Sequence, residues 1–64
     1  MSQEQTASYV LITGTTSGLG REFARIFAQN GYNIVAVARN EVLLRQQKQE
    51  LERQFGVEMV YIVK

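Results

Sequence analysis

The chain has 64 residues, 45% of them hydrophobic and 20% charged, with seven basic and six acidic side chains for a formal charge of +1. A domain this small buries only about 60% of its unfolded surface and is marginally stable; without cysteine or histidine, disulfides, thiolate chemistry, a structural zinc and an imidazole base are excluded. No Lys/Arg cluster marks a nucleic-acid surface, and no apolar run, Ile34 to Ala38 included, approaches the roughly 20 residues that cross a bilayer.

Residues 1–7 are polar and lack a basic region followed by an apolar one, so no secretory signal is expected; a flexible N-terminus and a cytoplasmic location are. Tyr9 to Thr13 then forms a short β-branched and aromatic run closed by Gly14, which predicts a first strand ended by a turn. After the turn, Leu19, Phe23, Ile26 and Phe27 recur at three- and four-residue spacing and predict a helix. That stripe should face the core, with Arg21, Glu22, Arg25 and Gln29 on the other side. Asn30-Gly31 ends the helix, glycine there satisfying orphan carbonyls in a left-handed conformation.

Ile34 to Ala38 is apolar without alternation, as in a parallel strand buried on both faces. Asn40 can cap the next helix and Glu41 suits its positive end. Leu43, Leu44, Leu51 and Phe55 make its apolar face, interrupted by Gln47. Glu41, Arg45, Lys48, Glu50, Glu52 and Arg53 read as its solvated face, with a Glu41/Arg45 pair at i,i+4 spacing. Gly56 closes the helix, and Val57 to Val63 fits a third strand. Tyr9, Tyr32 and Tyr61 read as packing residues.

The order β-α-β-α-β implies parallel pairing through right-handed crossovers, strand order 3-2-1, both helices on one face and the other face bare. The expected fold class is α/β: a three-layer Rossmann-type fold of which residues 8–64 supply only the first βαβαβ half, a truncated domain. The alternative is a self-associating miniature domain.

The chemistry sits in Thr13-Gly-Thr-Thr-Ser-Gly-Leu-Gly20, between predicted strand and predicted helix, the context that gives a glycine triplet meaning. Gly14 permits a sharp exit from the strand, Gly18 removes the Cβ that would hold a pyrophosphate away from backbone amides, and Gly20 allows close helix–strand packing. The free N–H groups of the first helical turn, around Gly18, Leu19 and Gly20, face the anion with the helix dipole behind them. Thr15, Thr16 and Ser17 add hydroxyls that bond phosphate or ribose oxygens; for Ser17, capping the helix is an equal reading. The bland alternative is a turn that connects strand to helix and binds nothing. A Walker-type phosphate loop fails, because Arg21-Glu22 follows Gly20 where that loop needs Lys-Ser/Thr.

Dinucleotide folds choose their cofactor at the end of strand two, where an acidic residue holds a ribose 2′-hydroxyl and an arginine accommodates a 2′-phosphate. This chain has Ala38-Arg39-Asn40 there, with no carboxylate before Glu41. The balance favours NADP(H) over NAD(H), with Arg39 as clamp and Asn40 beside it. Otherwise Arg39 is a solvated loop cation. Arg21 is a weaker second candidate and reads better as an exposed helix residue.

The pattern Thr13-Gly14-xxx-Gly18-Leu19-Gly20 resembles the TGxxxGxG fingerprint of the short-chain dehydrogenases/reductases, and Val35-Ala-Val-Ala-Arg39-Asn40 resembles strand two of their NADP-preferring members. The likeness runs from Ser8 to Val63. It implies a Rossmann domain binding NADP(H) and a parent enzyme that interconverts a carbonyl and an alcohol, as a homo-oligomer. Family members carry their catalytic Ser, Tyr-xxx-Lys and Asn-Asn-Ala-Gly stretch beyond the third strand, so no catalytic residue is assigned here and the chain alone should be inactive. Tyr61 and Lys64 are one residue short of that spacing and on a strand. The rival reading is a non-catalytic nucleotide-binding module, or one that pairs through its open sheet face or edge; a Tyr-xxx-Lys segment further along the gene would discriminate.

Overall fold

The computed structural model describes residues 8–64, so the expectation for residues 1–7 lies outside it. It contains β1 (Tyr9–Thr13), α1 (Gly18–Gln29), β2 (Asn33–Ala38), α2 (Glu41–Phe55) and β3 (Met59–Val63). The strands form one parallel sheet with β2 central, the expected order. β2 starts one residue earlier than predicted. β3 starts two later, because buried Val57 belongs to the connection and Glu58 N–H is taken by Asn33 Oδ1 at 2.8 Å.

Glycines punctuate the elements as the sequence indicates. Gly14, Gly31 and Gly56 all have positive φ, at 68°, 89° and 72°, in the region where a Cβ is penalised. Asn40 caps α2, its Oδ1 accepting from Leu43 N–H at 3.1 Å, and Gly56 ends α2 in the left-handed conformation.

Along β2, Ile34, Ala36 and Ala38 are buried while Val35 and Val37 are half-buried. The register places Val10 and Ile12 of β1, and Met59 and Tyr61 of β3, on the same side as Ile34 and Ala36. Both helices cover that side: α1 lies on β1 and β2, α2 on β2 and β3, and the helices touch. Ile34, Leu44 and Met59 are fully buried there, each worth about 1.5–3 kcal/mol relative to exposure. The opposite side carries Leu11, Val35, Val37, Val60 and Ile62, and no described element covers it. The described residues thus form two layers, and β2 is buried on one face rather than two. No described helix is long and apolar enough to cross a membrane.

The packing of α1 corrects the expected stripe. Gly20, Ala24 and Ala28 face the sheet and are buried, whereas Leu19, Phe23 and Ile26 are exposed at 71%, 47% and 40%. Small side chains at i, i+4 and i+8 bring the helix backbone close to the sheet. The larger row Leu19, Phe23 and Phe27 is turned toward the free edge of β1, where it lines an open apolar groove of about 670 Å³ with Val10, Leu11 and Ile12.

Two polar readings change as well. Lys48 and Glu52 dock α2 rather than simply facing solvent: Lys48 Nζ donates to Glu52 Oε2 at 2.8 Å and to Met59 O at 2.6 Å, and Glu52 Oε2 accepts Met59 N–H at 2.9 Å. Tyr32 packs edge-on against Phe27, with ring centroids 5.6 Å apart. Tyr9 is an exposed residue rather than a packing one, its hydroxyl donating to Glu58 at 2.6 Å.

Candidate functional site

Because the strands are parallel, the loop after β1 and the Arg39-Asn40 pair after β2 emerge at one carboxyl edge of the sheet, where ligands of open α/β sheets bind. A main-chain bond ties the loop to β2: Gly14 N–H donates to Val37 O at 2.7 Å. The chain then turns tightly, with Gly14 O accepting from Ser17 N–H at 3.1 Å and from the Ser17 hydroxyl at 2.7 Å. Ser17 occupies the N-cap position of α1 without making a side-chain cap. Its hydroxyl is spent on the turn, which decides against the capping reading.

The glycines have separate reasons. A Cβ on Gly20 would lie 2.1 Å from Gly14 O and 2.7 Å from Gly14 C, a clash with backbone that cannot move aside. Gly14 is required by its φ of 68°. Gly18 has neither constraint: its φ is not positive, and a Cβ there would meet no described atom within 4 Å beyond its own helical backbone and chain neighbours. It opens the first turn of α1, where Arg21 N–H to Ser17 O at 2.8 Å is the first helical bond from this turn, so among the described residues the N–H groups of Gly18, Leu19 and Gly20 are the unpaired donors of a helix start. A glycine that no neighbour requires, beside free amides and a positive helix end, fits an anion approaching the backbone.

The remaining predicted residues divide. Thr16 is half-buried, and Ser17, Leu19, Arg39 and Asn40 are exposed. Arg39 makes no ion pair among the described residues. Asn40 commits its side-chain oxygen to the α2 cap. Arg21 is exposed and 3.9 Å from Glu50. Thr15 is fully buried, so its hydroxyl is not presented to the outer side of the loop as the sequence suggested. Glu41, the first carboxylate after β2, lies 3.4 Å from Arg45 and 3.5 Å from the Tyr61 hydroxyl. Tyr61 therefore has a partner on α2 and stands in a strand.

Sequence reasoning passed over Gln47. Its Nε2 donates to Thr15 O at 3.1 Å, tying α2 to the loop from beneath. A polar residue interrupting an otherwise apolar helix face was the available signal. Gln47, Thr15 and Thr16 line a polar cavity of about 310 Å³ between the loop and α2, which does not include Arg39.

Residues 8–64 match the family model for short chain dehydrogenase. A very-long-chain 3-oxoacyl-CoA reductase of Laccaria bicolor is 42% identical over 50 residues, 78% of this chain and 15% of that protein. The short-chain dehydrogenase from Sphingobium yanoikuyae in complex with NADPH superposes with a TM-score of 0.85 at 38% identity, over 88% of this chain and 22% of that one. L-sorbose reductase from Gluconobacter frateurii, complexed with NADPH and L-sorbose, gives 0.86 at 34% identity, over 92% and 22%. The chain thus spans less than a quarter of the length of each of these three.

Proposed function

The chain belongs to the short-chain dehydrogenase family, and we propose that it is the segment that binds the adenosine and phosphate end of NADP(H) in an oxidoreductase acting on a carbonyl or alcohol substrate. The observation that carries this reading is Gly18: its missing Cβ leaves open space beside unpaired amides, a cradle that a side chain would fill. When bound, the cofactor supplies hydride transfer, while the protein contributes binding and orientation. Here the N–H groups at the start of α1 would hold the pyrophosphate, with Thr16 and Ser17 at the loop's rim. Arg39 would pair with the 2′-phosphate.

Preference for NADP(H) is supported by three features. Arg39 is exposed and without an ion pair among the described residues, the nearest following carboxylate is engaged by Arg45, and both structural relatives above are described with NADPH. The test is calorimetric titration of the full-length protein. NADPH should bind well above NADH, and Arg39→Ala should narrow the gap by roughly tenfold or more, the loss of one charge-assisted contact. Equal affinities for the two cofactors in the unaltered protein would refute the preference.

A further inference from the structure

Gln47 occupies a position where α2 calls for an apolar side chain: Leu44 and Leu51 flank it on the buried face, and it is only 6% exposed. One end of its amide is satisfied by Thr15 O, while Gln47 Oε1 and the Thr15 hydroxyl are buried with no partner among the described residues. Core packing therefore does not account for a glutamine here: its amide is half unsatisfied, and the group that it does satisfy is a main-chain carbonyl of the loop, which an apolar replacement would leave without this partner.

Its partner does. In a trans peptide the C=O and N–H point in opposite directions, so a donor that holds Thr15 O toward α2 turns the Thr16 N–H to the opposite side of the loop. That N–H has no backbone partner among the described residues, and the amides of Gly18, Leu19 and Gly20, likewise unpaired there, follow it. We propose that Gln47 is a positioning residue, which, by holding the Thr15 carbonyl, aims the Thr16 N–H outward as a further anion donor of the dinucleotide cradle. The proposal rests on the cofactor reading above.

The experiment replaces Gln47 by Leu and, as a second packing solution, by Met in the full-length protein. Two measurements are made: calorimetric titration with NADPH, and amide exchange at Ser17 with core Ala36 as the internal reference. In both variants the NADPH Kd should rise roughly three- to tenfold, the loss of one aligned hydrogen bond, with binding stoichiometry unchanged. Ser17, whose N–H is bonded within the turn, should exchange faster while Ala36 does not. A merely structural role would instead lower the number of competent sites and speed exchange at Ala36 as well, which overturns the proposal. So does an unchanged Kd in a variant with native exchange at Ala36. Failure of the unaltered protein to bind either NADPH or NADH identifies the cofactor reading as the one at fault, and the donor role of Thr16 falls with it.

Discussion

Gly18 and Gly20 lie on the same helical turn and answer to different neighbours, so alanine separates their roles. Gly20→Ala drives a Cβ into the backbone of Gly14 and should destabilise the protein by at least about 3 kcal/mol, at the upper end of overpacking costs, as measured by urea unfolding. Gly18→Ala meets open space. It should leave stability unchanged or raise it by up to about 1 kcal/mol, yet weaken NADPH binding by roughly tenfold or more as the phosphate is displaced from the amides. A variant as stable as the parent that keeps its NADPH affinity would remove the main support for the cradle. Arg39, tested above, acts at the same scale, since it makes no ion pair among the described residues and is open to a ligand anion.

At the scale of elements, the clasp between α2 and β3 sets a pH response. Lys48 and the Met59 N–H hold the Glu52 carboxyl below its ordinary value, so the carboxylate is better stabilised in the folded state than in the unfolded one. That contribution is present above the ordinary carboxylate range and is lost as pH falls through the lowered folded value. Glu52→Gln should therefore cost about 1 kcal/mol near neutrality, and the difference should vanish in acid. A deficit that stays constant over that range would count against the clasp. The same elements show what a sequence discloses. Strand–helix order, the glycine stops at 14, 31 and 56, the Asn40 cap and the glycine-rich loop of the candidate site were all legible, because each rests on local backbone chemistry. The buried face of α1 was not: hydrophobicity favours Leu19 and Phe23, whereas contact distance selects Gly20, Ala24 and Ala28. Lys48 and Glu52 looked solvated because an i,i+4 ion pair gives no sign of the β3 backbone lying beneath it. Gln47 looked like an interruption because its partner, a main-chain carbonyl, has no signature in sequence.

For the whole molecule, the uncovered sheet face governs behaviour in isolation. Leu11, Val60 and Ile62 are 65%, 43% and 47% exposed on the face that no described element covers, and Leu11 also lines the apolar groove along β1, apolar surface of the kind that marks an interaction site. The isolated 64-residue chain should self-associate through this face or through the free edge of β1. Analytical ultracentrifugation would detect it, and a single sharp monomer at tens of micromolar would contradict it. The same chain should bind NADPH weakly or not at all in calorimetry, since the cradle is walled on one side only.

The bond from Gly14 N–H to Val37 O also dictates an order of assembly. The glycine-rich turn is anchored to a strand that comes after the helix it precedes, so its bonds to Ser17 can form locally while its seat on the sheet waits for β2. On a growing chain the turn should therefore reach its final position only once β2 has emerged and paired. A peptide ending at Gly31 should show helix without a defined loop, and adding residues 32–38 should be the step at which the Gly14 amide first becomes protected from exchange.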